Sequence, residues 1–244
     1  MLAIVIIGQM RSYKNIKIIN SYKKYLSNNE TIDLYIFTWK NLGYSNRHGK
    51  PNIHPNCNDI IKISDILEYY KKYDFINIKH ILIEDFDNFI NELNPDLLKI
   101  YNTPFRTYSK VSTSVPLQYK YQQAIRYLSN LNDIDKYSNL IITRPDICFV
   151  DYLPTLETKL DNIYYNCSCI RNMALTWYGK PKTIIKQLFN CYDEFLQNHN
   201  GLCRLWGGNW DQSSDINELL HYQCNKNNIK LKVKQKHMVK IIYF

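Results

Sequence analysis

Apolar and polar positions alternate along this chain in blocks that read as strands and helices in turn. Leu2–Ile7 is an unbroken apolar run, the pattern of a strand buried on both faces, and it runs into Gly8-Gln9-Met10-Arg11, a turn. From Tyr13 to Leu26, Ile16, Ile19 and Tyr22 (with Tyr25 and Leu26) recur at helical spacing. Ile32–Phe37 predicts a second strand ending at Thr38-Trp39. Asp65 followed by Glu68 resembles a capping box opening a short helix to about Lys72. Ile76–Ile83 alternates as a third strand, and Asp85–Leu98 reads as a helix with a break at Pro95. Ser114-Val115-Pro116 opens a longer helix whose buried stripe is Leu117, Tyr121, Ala124, Ile125 and Leu128. Asn139–Thr143 is the next strand, and Arg144-Pro145-Asp146 follows it directly.

This βαβαβαβ order predicts an α/β, Rossmann-like fold: a mainly parallel central sheet with helices on both faces. Ligands of such sheets bind beyond the carboxyl ends of the strands. Gly8–Arg11, Thr38-Trp39 and Arg144–Asp146 all fall there. Lys40–Asn58 is too long for an ordinary connection and is either a functional loop or a poorly ordered one. In the last third, Lys182–Gln197 reads as a helix, Asn198–Asp211 as a loop bearing Gly and Trp, and Asp215–Asn225 as a helix capped by Ser213 or Ser214. Ile229–Lys234 and Met238–Phe244 look like closing strands. With no repeat or linker, one compact domain with two functional halves, 1–150 and 151–244, is expected.

Composition narrows the function classes. At 45% hydrophobic residues, the 244-residue chain is not of the disordered class. No apolar run approaches the roughly 20 residues of a membrane span, and Met1–Ile7 is short for a signal-peptide core, with no basic residue before it. Seven cysteines, an odd number without a C-x-x-C pair, fit reduced thiols in a cytoplasmic compartment better than disulfides or a zinc knuckle. Cys167-Ser168-Cys169 reads as a strand with buried thiols. The net charge of +9 invites a nucleic-acid reading, yet the excess is mostly lysine, and no RNA-recognition signature, helix-turn-helix spacing or dense arginine cluster accompanies it. A specific nucleic-acid partner is therefore not expected. Lys230-Leu231-Lys232-Val233-Lys234 fits an edge strand with its lysines in water; its alternative is attraction to an anionic glycan or a membrane surface, peripheral at most.

Two turns carry candidate chemistry. In Gly8–Arg11, glycine permits a sharp turn and close backbone approach, and arginine offers a planar fork for phosphate. The alternative is an ordinary solvated turn. Neither G-x-G-x-x-G nor G-x-x-x-x-G-K-[ST] is present, so neither a dinucleotide fingerprint nor a P-loop is indicated. In Arg144–Asp146, a carboxylate just past an internal strand suits Mn2+ or Mg2+ bridging two phosphates, and Arg144 either takes phosphate charge or pairs with Asp146. The alternative is an Arg–Asp pair closing a strand-to-loop corner.

Gly8-Gln9-Met10-Arg11, Asp33–Trp39 (D-L-Y-I-F-T-W) and Ile141–Ile147 (I-I-T-R-P-D-I), in that order, resemble the motifs of a group of bacterial and giant-virus glycosyltransferases. The resemblance covers roughly residues 1–150, with a weaker echo at Glu218-Leu219-Leu220. It implies a single GT-A-like domain, a nucleoside diphosphate sugar as donor, a glycan or other hydroxyl-bearing acceptor, and a divalent metal. By position, Gly8, Gln9 and Arg11 would border the nucleotide and diphosphate, with Trp39 and Arg144 at the same edge. Asp146 would stand at the D-x-D metal carboxylate, and His237 would be a late metal-ligating histidine, a plain surface histidine being its alternative. Arg144 occupies the first acidic position of D-x-D, which leaves a metal one fewer charged ligand and opens weak or absent metal dependence. Leu205–Asp211 faintly resembles the W-G-G-E-D loop of some galactosyltransferases, but Asn209 and Trp210 replace its acidic pair. Asp211 and Asp215 remain as candidate bases for the acceptor hydroxyl, or as caps of the following helix. His48 and His54 lie in the long loop and either order on ligand binding or are solvated loop residues, and His221 lies on the last helix, buried or exposed. The expected function is metal-assisted glycosyl transfer in the cytoplasm (of a host, for a viral chain). The alternatives are a non-catalytic nucleotide-sugar-binding protein and a basic nucleic-acid-binding module.

Overall fold

The apolar runs become the centre of a sheet. In the computed structural model, β1 (Leu2–Ile7), β2 (Ile32–Trp39) and β6 (Asn139–Thr143) are buried along their whole length. The structure describes residues 1–26, 30–42, 45–47, 50–52, 59–95, 98, 114–152, 162–167, 174–194, 196, 230–233 and 239–241. Between β1 and β2 lies α1 (Ile16–Tyr25). After β2 come a small hairpin, β3 (Ser45–Arg47) and β4 (Lys50–Asn52), then α2 (Ile63–Tyr70), β5 (Ile76–Glu84) and α3 (Phe86–Asn91). The helix α4 (Ser114–Ser129) precedes β6, and β7 (Ile147–Phe149), β8 (Asn162–Cys167), β9 (Ala174–Gly179), α5 (Pro181–Leu188), β10 (Lys230–Val233) and β11 (Val239–Ile241) follow.

The main sheet has the order β10-β8-β9-β6-β1-β2-β5. β5, β2, β1 and β6 run parallel, with Leu2 beside Ile32 and Asn139, and β9 enters antiparallel between β6 and β8. The expected α/β, mainly parallel arrangement is thus the observed one. After β1 the chain moves outward through β2 to β5, then returns to place β6 on the other side of β1. Right-handed crossovers travelling in opposite directions lie on opposite faces. Accordingly Ile18, Ile19 and Tyr22 of α1 and Ile66 and Tyr70 of α2 pack with Ile4 and Ile6. On the other face Tyr121, Ala124, Ile125 and Leu128 of α4 and Ile184 and Leu188 of α5 pack with Val5 and Ile7. No helix among the described residues is long and apolar enough to cross a membrane.

Several local expectations are corrected. The helix expected from Tyr13 begins at Ile16, capped by the Asn15 side chain, which accepts the Lys17 N–H at 3.0 Å. Ile16 is consequently 51% exposed, and Ile18 takes its place in the stripe. Helix α2 starts two residues before Asp65, whose carboxylate instead reaches back to the Lys62 N–H at 3.0 Å. The helix expected over 182–197 is interrupted: it runs to Leu188, turns at 189–190, and is helical again at 191–194 and 196. The strands β8 and β9 had no predicted counterpart beyond Cys167. Of the long stretch after Trp39, the two ends are pinned together: Ile61 N–H donates to the Lys40 carbonyl at 2.8 Å and Leu42 N–H to that of Asp59 at 3.1 Å. The excursion therefore leaves from and returns to the carboxyl edge of β2.

Candidate functional site

At the carboxyl ends of β1 and β6 the strand order reverses, which opens a crevice in folds of this kind. Gly8 follows β1 there with φ 111°, a conformation an L side chain rarely adopts. Its N–H donates to the Phe37 carbonyl of β2 at 3.2 Å, tying the turn to the neighbouring strand. The chain then folds tightly: Arg11 N–H reaches the Gln9 carbonyl at 2.9 Å, and Asn15 N–H that of Ser12 at 2.8 Å. Met10 and Tyr13 are buried anchors between which Arg11 is held half-buried. A Cβ on Gly8 would meet the Pro145 ring at 4.0 Å, ordinary contact, so Gly8→Ala meets no clash and its cost is conformational. We expect it to lower stability by about 1–2 kcal/mol, read from the urea midpoint, and to disturb the turn that carries Arg11.

The opposing turn follows β6. The Ile147 N–H donates to the Arg144 carbonyl at 3.3 Å, closing a β-turn with Pro145 at its second position. Ser21 of α1 ties the helix to β7, which follows this turn: its hydroxyl accepts the Phe149 N–H at 3.0 Å while donating to the Ile18 carbonyl of its own helix at 2.6 Å. Because Arg11 precedes α1 and Asp146 precedes β7, this docking brings the two motifs together across more than a hundred residues.

They meet in an ionic triad. Arg144 grips Asp146 with both arms of its fork, Nε to Oδ1 at 2.9 Å and Nη2 to Oδ2, and Arg11 Nη2 stands 3.9 Å from Oδ2. Burial pushes the Arg11 pKa down, Asp146 pushes it back up, and Arg144 repels it. Within the triad itself two guanidiniums face one carboxylate. Beneath it the buried Tyr22 hydroxyl is held above its ordinary pKa, first by burial and then by the charge of Asp146.

Gly8, Gln9, Arg11, Arg144 and Asp146 are thus gathered, as expected, at one edge. Trp39 is not part of this group. Its indole is 3% exposed, 5.0 Å from the rings of Phe86 and Phe89 and stacked with Tyr119, so its place is in the core. Asp33, at the start of the same motif, sits at the amino edge of the sheet, where it accepts the Tyr137 hydroxyl at 2.7 Å and the Asn77 amide at 2.9 Å. Asp211, Asp215 and His237 lie outside the described residues, as does the loop 198–211. Among the described residues no three His, Cys, Asp or Glu side chains gather as a metal-ligand set. Asp146, the expected ligand, already faces two cations. The donor set among the described residues does not fit Mn2+ or Mg2+.

A second ionic cluster at this edge escaped sequence reading. Lys120 of α4 has no exposed side-chain surface; its ammonium pairs with Glu84 at the end of β5, contacts Gln123 at 3.2 Å and lies 4.1 Å from the Trp39 ring centroid. Burial, only partly opposed by Glu84, pulls its pKa down to about 8. Tyr119 donates its hydroxyl to the other Glu84 oxygen at 3.2 Å. A signal was present: position 120 lies on the stripe formed by Leu117, Tyr121 and Ala124. No protein-family model matches the chain, and no curated protein matches it.

Proposed function

We propose that the chain is a glycosyltransferase that takes its sugar from a nucleoside diphosphate sugar, the donor diphosphate lying at Arg11 and Arg144. The observation carrying this reading is the convergence of two remote motifs on one cluster of two arginines and an aspartate at the strand-order reversal. The Rossmann-like sheet supports it by placing that triad where such folds bind nucleotides. The motif resemblance supports it independently. In this reading the acceptor hydroxyl forms a bond to the anomeric carbon as the bond to the diphosphate breaks. The two arginines stabilise the charge gathering on the leaving group, and Asp211 or Asp215 takes the hydroxyl proton. Residues 151–244 hold a glycan or other acceptor, and the soluble donor is met in the cytoplasm.

A thermal-shift panel of nucleotide sugars, with and without Mn2+, tests the reading. A matching donor at 100 times its Kd should add about 2.7 kcal/mol of stability, and release of free nucleoside diphosphate on adding an acceptor should follow. A flat panel removes the reading. Binding without turnover supports the non-catalytic alternative, and steeply salt-dependent binding of RNA instead supports the nucleic-acid one.

A further inference from the structure

We infer that this site holds its ligand's phosphates without a divalent cation: Arg11 and Arg144 are the phosphate-binding groups, and Asp146 is the buried strut that aims both. The inference rests on the nucleotide-sugar reading for the identity of the ligand. Its charge argument concerns only residues 11, 144 and 146.

The order of burial is the first support. The Asp146 side chain is 9% exposed, Arg11 17% and Arg144 32%, so the carboxylate lies innermost and the guanidiniums outermost. An approaching anion meets arginine first. A cation seeking Asp146 has to pass two positive charges to reach it.

Occupancy of the carboxylate is the second. Both Asp146 oxygens are taken by the Arg144 fork, and Oδ2 also faces Arg11. A metal there must displace a bidentate, charge-assisted pair and then stand beside the guanidinium it displaced. Hard divalent cations take a shell of oxygens built on carboxylates, and among the described residues no group of three or more His, Cys, Asp or Glu that could hold one is found.

The third support is chemical equivalence. At a diphosphate a divalent cation supplies two positive charges and a fixed geometry. Two guanidiniums supply the same charge, in planar forks that match phosphate oxygens. Asp146 provides the geometry, because a guanidinium gripped by a buried carboxylate is held in a fixed plane. The Ser21–Phe149 bond between α1 and β7, together with the parallel pairing of β1 and β6, holds the two arginines in register.

The test is calorimetric titration of the full chain with uridine, guanosine, adenosine and thymidine diphosphates and with inorganic pyrophosphate, in EDTA and in Mn2+. The tightest ligand should bind in EDTA, with less than a tenfold gain on adding Mn2+. Arg11→Ala and Arg144→Ala should each weaken it about 10–100-fold in both buffers, and Asp146→Asn should weaken it in both alike. Where Arg144→Ala melts below the assay temperature, Arg144→Gln keeps most of the length and removes the charge. A gain of tenfold or more with Mn2+ that Asp146→Asn abolishes overturns the inference and leaves the nucleotide-sugar reading standing. Pyrophosphate binding in EDTA with no nucleotide preferred keeps the inference and removes that reading's ligand. No binding of any probe in either buffer overturns both.

Discussion

Glu84→Gln should destabilise the fold by about 3 kcal/mol, because it strips the counter-charge from a lysine that has no access to water. That is a large share of the roughly 5–15 kcal/mol by which domains are stable. Gln keeps the volume and an acceptor for the Tyr119 hydroxyl, so the loss reports charge alone. The pH dependence follows from the folded pKa of Lys120, drawn down by burial to about 8 from 10.5. Between those values the unfolded chain binds more protons than the native one, so this group makes stability rise with pH. Without Glu84 the native pKa falls further, and the variant sheds its proton earlier. Its deficit relative to the parent should therefore shrink as pH rises towards about 8 and hold steady above. Urea midpoints at a series of pH values between 6 and 9.5 measure this. The partner variant separates the explanations: Lys120→Met leaves a Glu84 that water can reach and an unbranched apolar chain against Trp39, and should cost about 1 kcal/mol or less. A Lys120→Met that costs as much as Glu84→Gln would show that the ammonium is a net support of the core.

The same lysine shows where sequence reading reaches and where it stops. The parallel centre was legible because β1, β2 and β6 are covered on both faces, which forces continuous apolar runs that no surface strand carries. The stripe of α4 was equally plain, and Lys120 stood on it. A lysine in an apolar stripe ordinarily lays its stem on the core and lifts its charge into water. Only the placement of Glu84 at the end of β5 and of Trp39 beside it makes burial tolerable, and both are remote in sequence. β9 was missed for a related reason. It has no aliphatic run because the buried Thr176 hydroxyl finds that of Thr143 on β6 at 3.0 Å, a pairing visible only once the strands are adjacent.

The triad was half legible. Arg144 and Asp146 are two residues apart, and their pairing was one of the readings the sequence allowed. Arg11 reaches the same carboxylate because β6 lies beside β1 and Ser21 ties α1 to β7, and neither the strand order nor a single serine on a helix announces such a meeting. That third member turns an acidic position into the interior of a basic site.

The opposite edge of the sheet provides the contrast that tests this division of labour. Asp33 is 2% exposed, accepts hydrogen bonds from Tyr137 and Asn77, and has Lys79 and Lys136 at 3.8 and 3.9 Å. Tyr137 in turn exchanges a 2.7 Å bond with Tyr35, and its pKa is driven far above the ordinary phenol value by burial, by Tyr35 and by Asp33. Asp33→Ala leaves the Tyr137 hydroxyl and the Asn77 amide short of an acceptor and takes the facing carboxylate from Lys79, while Lys136 keeps Asp133, so it should cost about 3 kcal/mol. Asp33→Asn keeps one acceptor and should cost about half as much. Asp33 pairs with Ala3, and Gly8 lies five residues further along, roughly 16 Å at strand spacing. The loss should therefore appear in the urea midpoint and not in the affinity of the folded protein for a nucleoside diphosphate. An Asp33→Asn variant that melts like the parent yet binds tenfold more weakly would move Asp33 from the scaffold into the site, and with it the amino end of the Asp33–Trp39 motif.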